Sequence, residues 1–158
     1  MSLVTSAATI FETAPTQMEI PIAALCDAAT DYGGKLNLLG VFDTVLTTNF
    51  PAVHPQCAIA LRFVFNKGEE GHRVFRLTFV NEDGKIVMPA IELAIDMKIP
   101  DAVNYLSRNL IINLQQLKFD SAGQYGIEVA MDGRQIASIP LLVQVMKGPA
   151  AAEFPAQS

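Results

Sequence analysis

Apolar positions in this chain recur every second residue. In 57–66, Ile59, Leu61, Phe63 and Phe65 fall on one side of an extended segment and Arg62 on the other. In 73–80, Phe75, Leu77 and Phe79 alternate with Arg76 and Thr78. In 91–99, Ile91, Leu93, Ile95 and Met97 alternate with Glu92, Asp96 and Lys98. The same rhythm returns in Ile127, Val129 and Met131, and again in Ile139, Leu141, Val143 and Val145. A period of two lines one face of a β-strand, whereas a helix would need three or four. Less regular apolar runs at 19–28, 36–42, 45–48, 86–88 and 108–117 add further strands, and Gly40 inside one of them marks a bulge or bend. Turn-rich segments separate the runs: 27–34, 50–55, the charged stretch 67–71, Asn81-Glu82-Asp83-Gly84, and Asp132-Gly133. Pro100-Asp101 suits one short helical turn within 100–106. No long amphipathic helix lies between strands, so a parallel α/β fold is excluded. The pattern predicts an all-β chain: an antiparallel β-sandwich with immunoglobulin-like packing, about eight or nine strands and at most one short helix.

Residues 1–17 and 148–158 have tail-like composition, rich in small residues with scattered prolines, which leaves 18–147 as one folded domain. Hydrophobic residues make up 51% of the chain and charged residues 17%, enough apolar content to build a core and too little charge for disorder. The net charge of −5, with no Lys/Arg cluster in sequence, argues against nucleic acid and anionic membranes as partners. No uninterrupted apolar stretch is long enough to span a bilayer, and the first basic residue is Lys35, so the start lacks the positive region of a signal peptide. The expected compartment is the cytoplasm, where Cys26 and Cys57 would remain buried thiols.

The segment 119–145 carries the clearest architectural signal. Gly123-Gln124-Tyr125 leads into an alternating strand, and Asp132-Gly133 turns it back. This resembles the Tyr corner of immunoglobulin-like and fibronectin-like sandwiches, in which the hydroxyl tucks against upstream backbone. Ile127 stands where the immunoglobulin pattern has Cys, and Ser121 where it has Asp, so the resemblance implies a sandwich and not an immune-type domain. A second resemblance covers residues 20–146. Leu25-Cys26-Asp27-Ala28, the run from Gly34 to Asp43, Phe50-Pro51, and the Tyr125 strand with Asp132-Gly133 look like an uncharacterised family of short bacterial all-β proteins. That resemblance implies no activity, cofactor or catalytic residue.

Candidate chemistry is sparse. Asp27, Asp31 and Asp43, with Asn37, offer oxygen ligands for Ca²⁺ but match no EF-hand spacing, and turn capping is the favoured role. His54 and His72 have no partnered nucleophile and are expected to be solvated loop residues. Arg62, Arg73 and Arg76 form a basic stripe able to hold a carboxylate or phosphate, or to pair with Glu69, Glu70 and Glu92. Leu38, Leu142 and Met146 are expected to point outward, which calls for cover by a tail, the short helix or a second copy.

These observations suggest a non-enzymatic binding or assembly module, with no catalytic residue, metal or cofactor. Its partner is expected to be a protein or a second copy of the chain. The favoured binding patch is Asp27, Asp31, Tyr32 and Lys35, beside the 50–55 loop, with Gly123 and Tyr125 structural. A carbohydrate- or metal-binding accessory domain is the first alternative, with Tyr32 and Tyr105 standing in for absent tryptophan, and an enzyme is the second and least favoured.

Overall fold

The computed structural model describes residues 17–147, so the expected tails lie outside the described residues apart from Gln17. Nine strands build the fold: β1 (Glu19–Tyr32), β2 (Lys35–Phe42), β3 (Thr44–Thr47), β4 (Ala52–Asn66), β5 (Gly71–Asn81), β6 (Ile91–Met97), β7 (Tyr105–Phe119), β8 (Gly123–Met131) and β9 (Arg134–Val145). They form two sheets, ordered β2-β1-β4-β7 and β3-β9-β8-β5-β6. There is no helix among the described residues. Where a helical turn was expected, Val103 N donates to Pro100 O at 3.1 Å, and β7 then begins at Tyr105.

The period-two pattern does what alternation dictates. Ile59, Leu61, Phe63 and Phe65 of β4 meet Phe75, Leu77 and Phe79 of β5 and Ile127, Val129, Ile139, Leu141 and Val143 of β8 and β9 in one core. The aromatic rings of Phe63 and Phe75 lie 4.7 Å apart at its centre. Full burial of each such side chain is worth roughly 1.5–3 kcal/mol.

The Tyr corner has the expected geometry. Tyr125 Oη donates to Ser121 O at 2.7 Å, and its ring meets Phe119 edge-on at 5.1 Å. The turn at Asp132-Gly133 has φ of 49° and 82°, the paired positive values of the two-residue hairpin turn that Asp-Gly favours.

Pairing departs from a purely antiparallel sandwich at one edge. At Asp43 the chain passes from β2 in one sheet to β3 in the other, and β3 pairs with β9 in parallel. Apolar alternation encodes which face is buried but not strand direction, so the exception was invisible in sequence.

β1 pairs with β4 only as far as Cys26 opposite Ala58. Beyond that point β1 and β2 continue as a two-stranded arm, residues 28–39, which folds back over the outer face of its own sheet. Three observations establish the fold-back. Ala29, Leu36 and Leu38 of the arm pack on Cys26, Ala58, Ala60 and Ile111, a cluster on the side of the sheet opposite the core. Gly34 at the arm tip reaches Arg62, which pairs with Ile22 near the start of β1. Side-chain alternation also changes phase on both strands: Leu25 and Phe42 face the core, whereas Ala29 and Leu38 face the outer cluster.

Candidate functional site

The residues expected to form a binding patch sit on the arm. Asp27 is at its root, where its carboxylate occupies the space a Cβ on Gly40 would need; Gly40 has φ of 66°, so glycine fits there on both counts. Asp31 is at the tip. It accepts hydrogen bonds from Gly34 N at 2.9 Å and from Asn109 Nδ2 at 2.9 Å. Asn109 Nδ2 also donates to Gly34 O at 3.2 Å, and Arg62 Nη1 donates to Gly34 O at 3.1 Å and to Asn109 Oδ1 at 2.8 Å. These bonds latch the tip to β4 and β7. Tyr32 and Lys35 face each other across the turn, and Tyr32 is 80% exposed. The structure thus gathers Asp31, Tyr32 and Lys35 at the tip and leaves Asp27 at the root. Among the described residues, Asp27, Asp31 and Asp43 do not form a group able to hold a metal ion.

The three arginines of the expected stripe separate. Arg62 holds the arm, and Arg76 pairs with Glu92 at 2.9 Å on the exposed face of β5 and β6. Arg73 turns toward one end of the sandwich, donating to Glu69 O at 2.9 Å and to Asp132 Oδ2 at 3.0 Å. Asp132 also accepts from Val74 N at 2.9 Å. The Val74 amide, together with Arg73, holds the Asp132 carboxyl below the usual carboxylate range. Glu69 caps the same end, accepting from Met18 N and Asn66 N at 2.6 and 2.7 Å, while Glu70 accepts from Ile99 N at 2.9 Å.

Around these clasps lies an open cleft of about 700 Å³, lined by polar and charged residues that include Asn66, Lys67, Arg73, Asn104 and Arg134. Lys67 is half exposed and rests 3.6 Å from Asp101 on the rim. Arg134, the first residue of β9, lines this surface with no ion-pair or hydrogen-bond partner among the described residues. Sequence reasoning missed this site. Its cations are spread from 67 to 134 and converge only because the β4–β5 connection and the β8–β9 turn share one end of the fold. The available signal was the Asp132-Gly133 turn itself, which fixes where Arg134 must stand.

The histidines differ from expectation in part. His72 is exposed but lies on β5 rather than in a loop, 2.9 Å from Asp96. His54 is on β4 rather than in a loop; its ring lies 5.3 Å from Phe42, and its Nε2 is buried without a partner. Both cysteines are free and buried. They sit on opposite faces of the sheet, Cys57 toward the core and Cys26 in the outer cluster. Burial pushes the Cys57 thiol up to about 11, with Cys26 and Asp27 adding to the shift, and burial followed by Asp27 raises Cys26. Leu38 finds its cover on the chain's own sheet, Leu142 is half-buried beside β3, and Met146 remains exposed.

Comparison with known proteins places the chain. The model of a family of unknown function, DUF6941, matches residues 21–144. The chain belongs to this family. No curated protein matches it in sequence. Among solved structures it is similar to the alkylpurine DNA glycosylase AlkC of Pseudomonas fluorescens bound to DNA containing an abasic-site analogue, with a TM-score of 0.45 and 6% identity, over 80% of this chain and 30% of that one. It is also similar to a glycosyl hydrolase family 2 member from Bacteroides cellulosilyticus, with a TM-score of 0.32 and 12% identity, over 58% and 14%. The chain spans less than a third of either protein's length.

One expectation about partners is corrected. Excluding nucleic acid on net charge does not stand, and one of the similar structures named above is a glycosylase bound to DNA. The physical weakness of that exclusion is plain in the fold. Net charge is a property of the whole chain, and Lys67, Arg73 and Arg134 gather at one end of an acidic molecule. Among the described residues, no helix is long and apolar enough to cross a membrane.

Proposed function

We propose that this protein is a non-enzymatic binding module whose end cleft takes the anionic group of a small molecule. The observation that carries the reading is Arg134, a guanidinium without a partner on the wall of a polar concavity of about 700 Å³. That volume lies in the range of small-molecule sites. Division of labour within the cleft supports the reading. Arg73 is spent on Glu69 and Asp132 and stiffens the wall, while Arg134 and Lys67 keep donors for a ligand. A guanidinium suits carboxylate or phosphate through two parallel hydrogen bonds, and the amide of Asn104 adds an orienting group. The cleft brings cations and amides together, not a nucleophile with a base, so binding rather than catalysis is the role it fits. We adopt a bacterial cytoplasm as the setting, in keeping with two thiols kept free inside the fold. The same reading treats the packing as immunoglobulin-like, on the strength of the Tyr125 corner and the β2–β3 sheet switch.

The test is a titration followed by NMR or calorimetry, using inorganic phosphate, succinate and a short single-stranded oligonucleotide. Saturable binding of phosphate or succinate that weakens with salt and is lost in Arg134→Glu is the expected result. No binding of either anion, or binding that Arg134→Glu leaves intact, contradicts the reading. Binding of the oligonucleotide alone replaces it with a nucleic-acid role.

A further inference from the structure

We infer that the arm, residues 28–39, is a strap that lifts as one unit about Asp27 and Gly40, uncovering an apolar trough on the sheet while the sandwich stays folded. Four features of the arm lead to this. Its backbone ladder is internal: β1 and β2 pair with each other over these residues, and the pairing of β1 with β4 has already ended at Cys26. Both edges of the arm are therefore free of the body, and a lone two-stranded ribbon is marginal in water. The layer beneath it is built largely from small side chains, Ala29 against Ala58, Ala60 and Cys26, with Leu36, Leu38 and Ile111 supplying the larger groups. The tip is tied to the body by side-chain hydrogen bonds from Arg62 and Asn109 at an exposed site. The root holds a glycine at positive φ, and the alternation changes phase there on both strands, so the bend is confined to one pair of residues.

Segments with few buried contacts and exposed hydrogen bonds open at lower free energy than the core they rest on. When the strap lifts, Cys26, Ala58, Ala60 and Ile111 meet solvent. The core side of the same sheet, with Cys57, stays closed. The two cysteines thus report on two different events.

The experiment labels the full chain with iodoacetamide and reads Cys26 and Cys57 separately by peptide mass spectrometry. In the wild-type protein Cys26 is expected to react at least about tenfold faster than Cys57, with a rate that stays flat in low urea while that of Cys57 climbs. In Asn109→Ala, which removes the link to Asp31 and Gly34, Cys26 is expected to speed up by about tenfold, the scale of one or two lost hydrogen bonds, with Cys57 unchanged. Equal rates, or a common urea slope, in the wild-type protein overturn the proposal, because exposure would then come from global unfolding. A Cys26 rate that Asn109→Ala leaves unmoved also overturns it, since the tip would not be what holds the strap down.

Discussion

The two halves of β1 have the same strand geometry and opposite surroundings. Residues 19–26 lie against β4 in a continuous sheet and send Leu25 into the core. Residues 28–32 pair only with β2 and touch the body through small side chains and a tip latch. Strand content is therefore a poor guide to local stability. What matters is whether a strand's second edge and its inner face are shared with the rest of the sheet.

Matched substitutions in the two halves probe that difference with the largest expected effect. Leu25→Ala removes a fully buried core side chain and is expected to cost about 3 kcal/mol in urea unfolding. Leu38→Ala in the arm is expected to cost about 1 kcal/mol, because its side chain is only partly buried. Equal costs would erase the distinction.

Next in size is the root. Gly40→Ala places a Cβ at positive φ and against the Asp27 carboxylate, and is expected to cost about 2 kcal/mol. Asp27→Ala in that background relieves the crowding but not the backbone strain. A double-mutant cycle should therefore show partial recovery. Full additivity would place the two residues out of contact.

The other hairpin tip, at Asp132-Gly133, is tied down by charge as well as by hydrogen bonds. Asp132 has its folded-state carboxyl lowered by the Val74 amide and Arg73. Its contribution is therefore present above the unfolded carboxylate value of about 4 and is lost as pH falls through the lower folded value. The stability gap between the wild-type protein and Asp132→Asn is expected to be full at neutral pH and to close below about pH 4. Asp132 is more than a third exposed, so the gap itself should be modest. Unfolding curves at pH 7 and pH 3 measure it, and a gap that is unchanged or wider at pH 3 contradicts the assignment. The smallest stability effect is expected at Arg134→Glu, within about 0.5 kcal/mol, while anion binding is lost.

Much of this architecture was legible in the alternation of Ile59, Leu61, Phe63 and Phe65 and its echoes, because burial on one face leaves a period of two. The Tyr125 corner and the Asp132-Gly133 turn were also legible, since each depends on local backbone geometry that few residues satisfy. The arm was not. Its traces were Gly40 inside a strand and Ala58 and Ala60 at positions that should face solvent, where polar residues would be usual. A small residue on an outer face means nothing until something is seen to cover it. The cleft was hidden for a related reason: Lys67, Arg73 and Arg134 belong to three different strands or turns, and only the folded topology sets them side by side.

The most direct measurement of the central contrast is native-state hydrogen exchange of the wild-type protein across low urea concentrations. Once lifted, the isolated two-stranded ribbon no longer holds its own ladder, so amides of 28–39 should exchange through a common opening that depends only weakly on urea and costs several kcal/mol less than global unfolding. Amides of 19–26 and of β4 should join the global, urea-sensitive line. If both halves of β1 fall on that single global line, the arm is an integral part of the sandwich and the account of a separable strap is wrong.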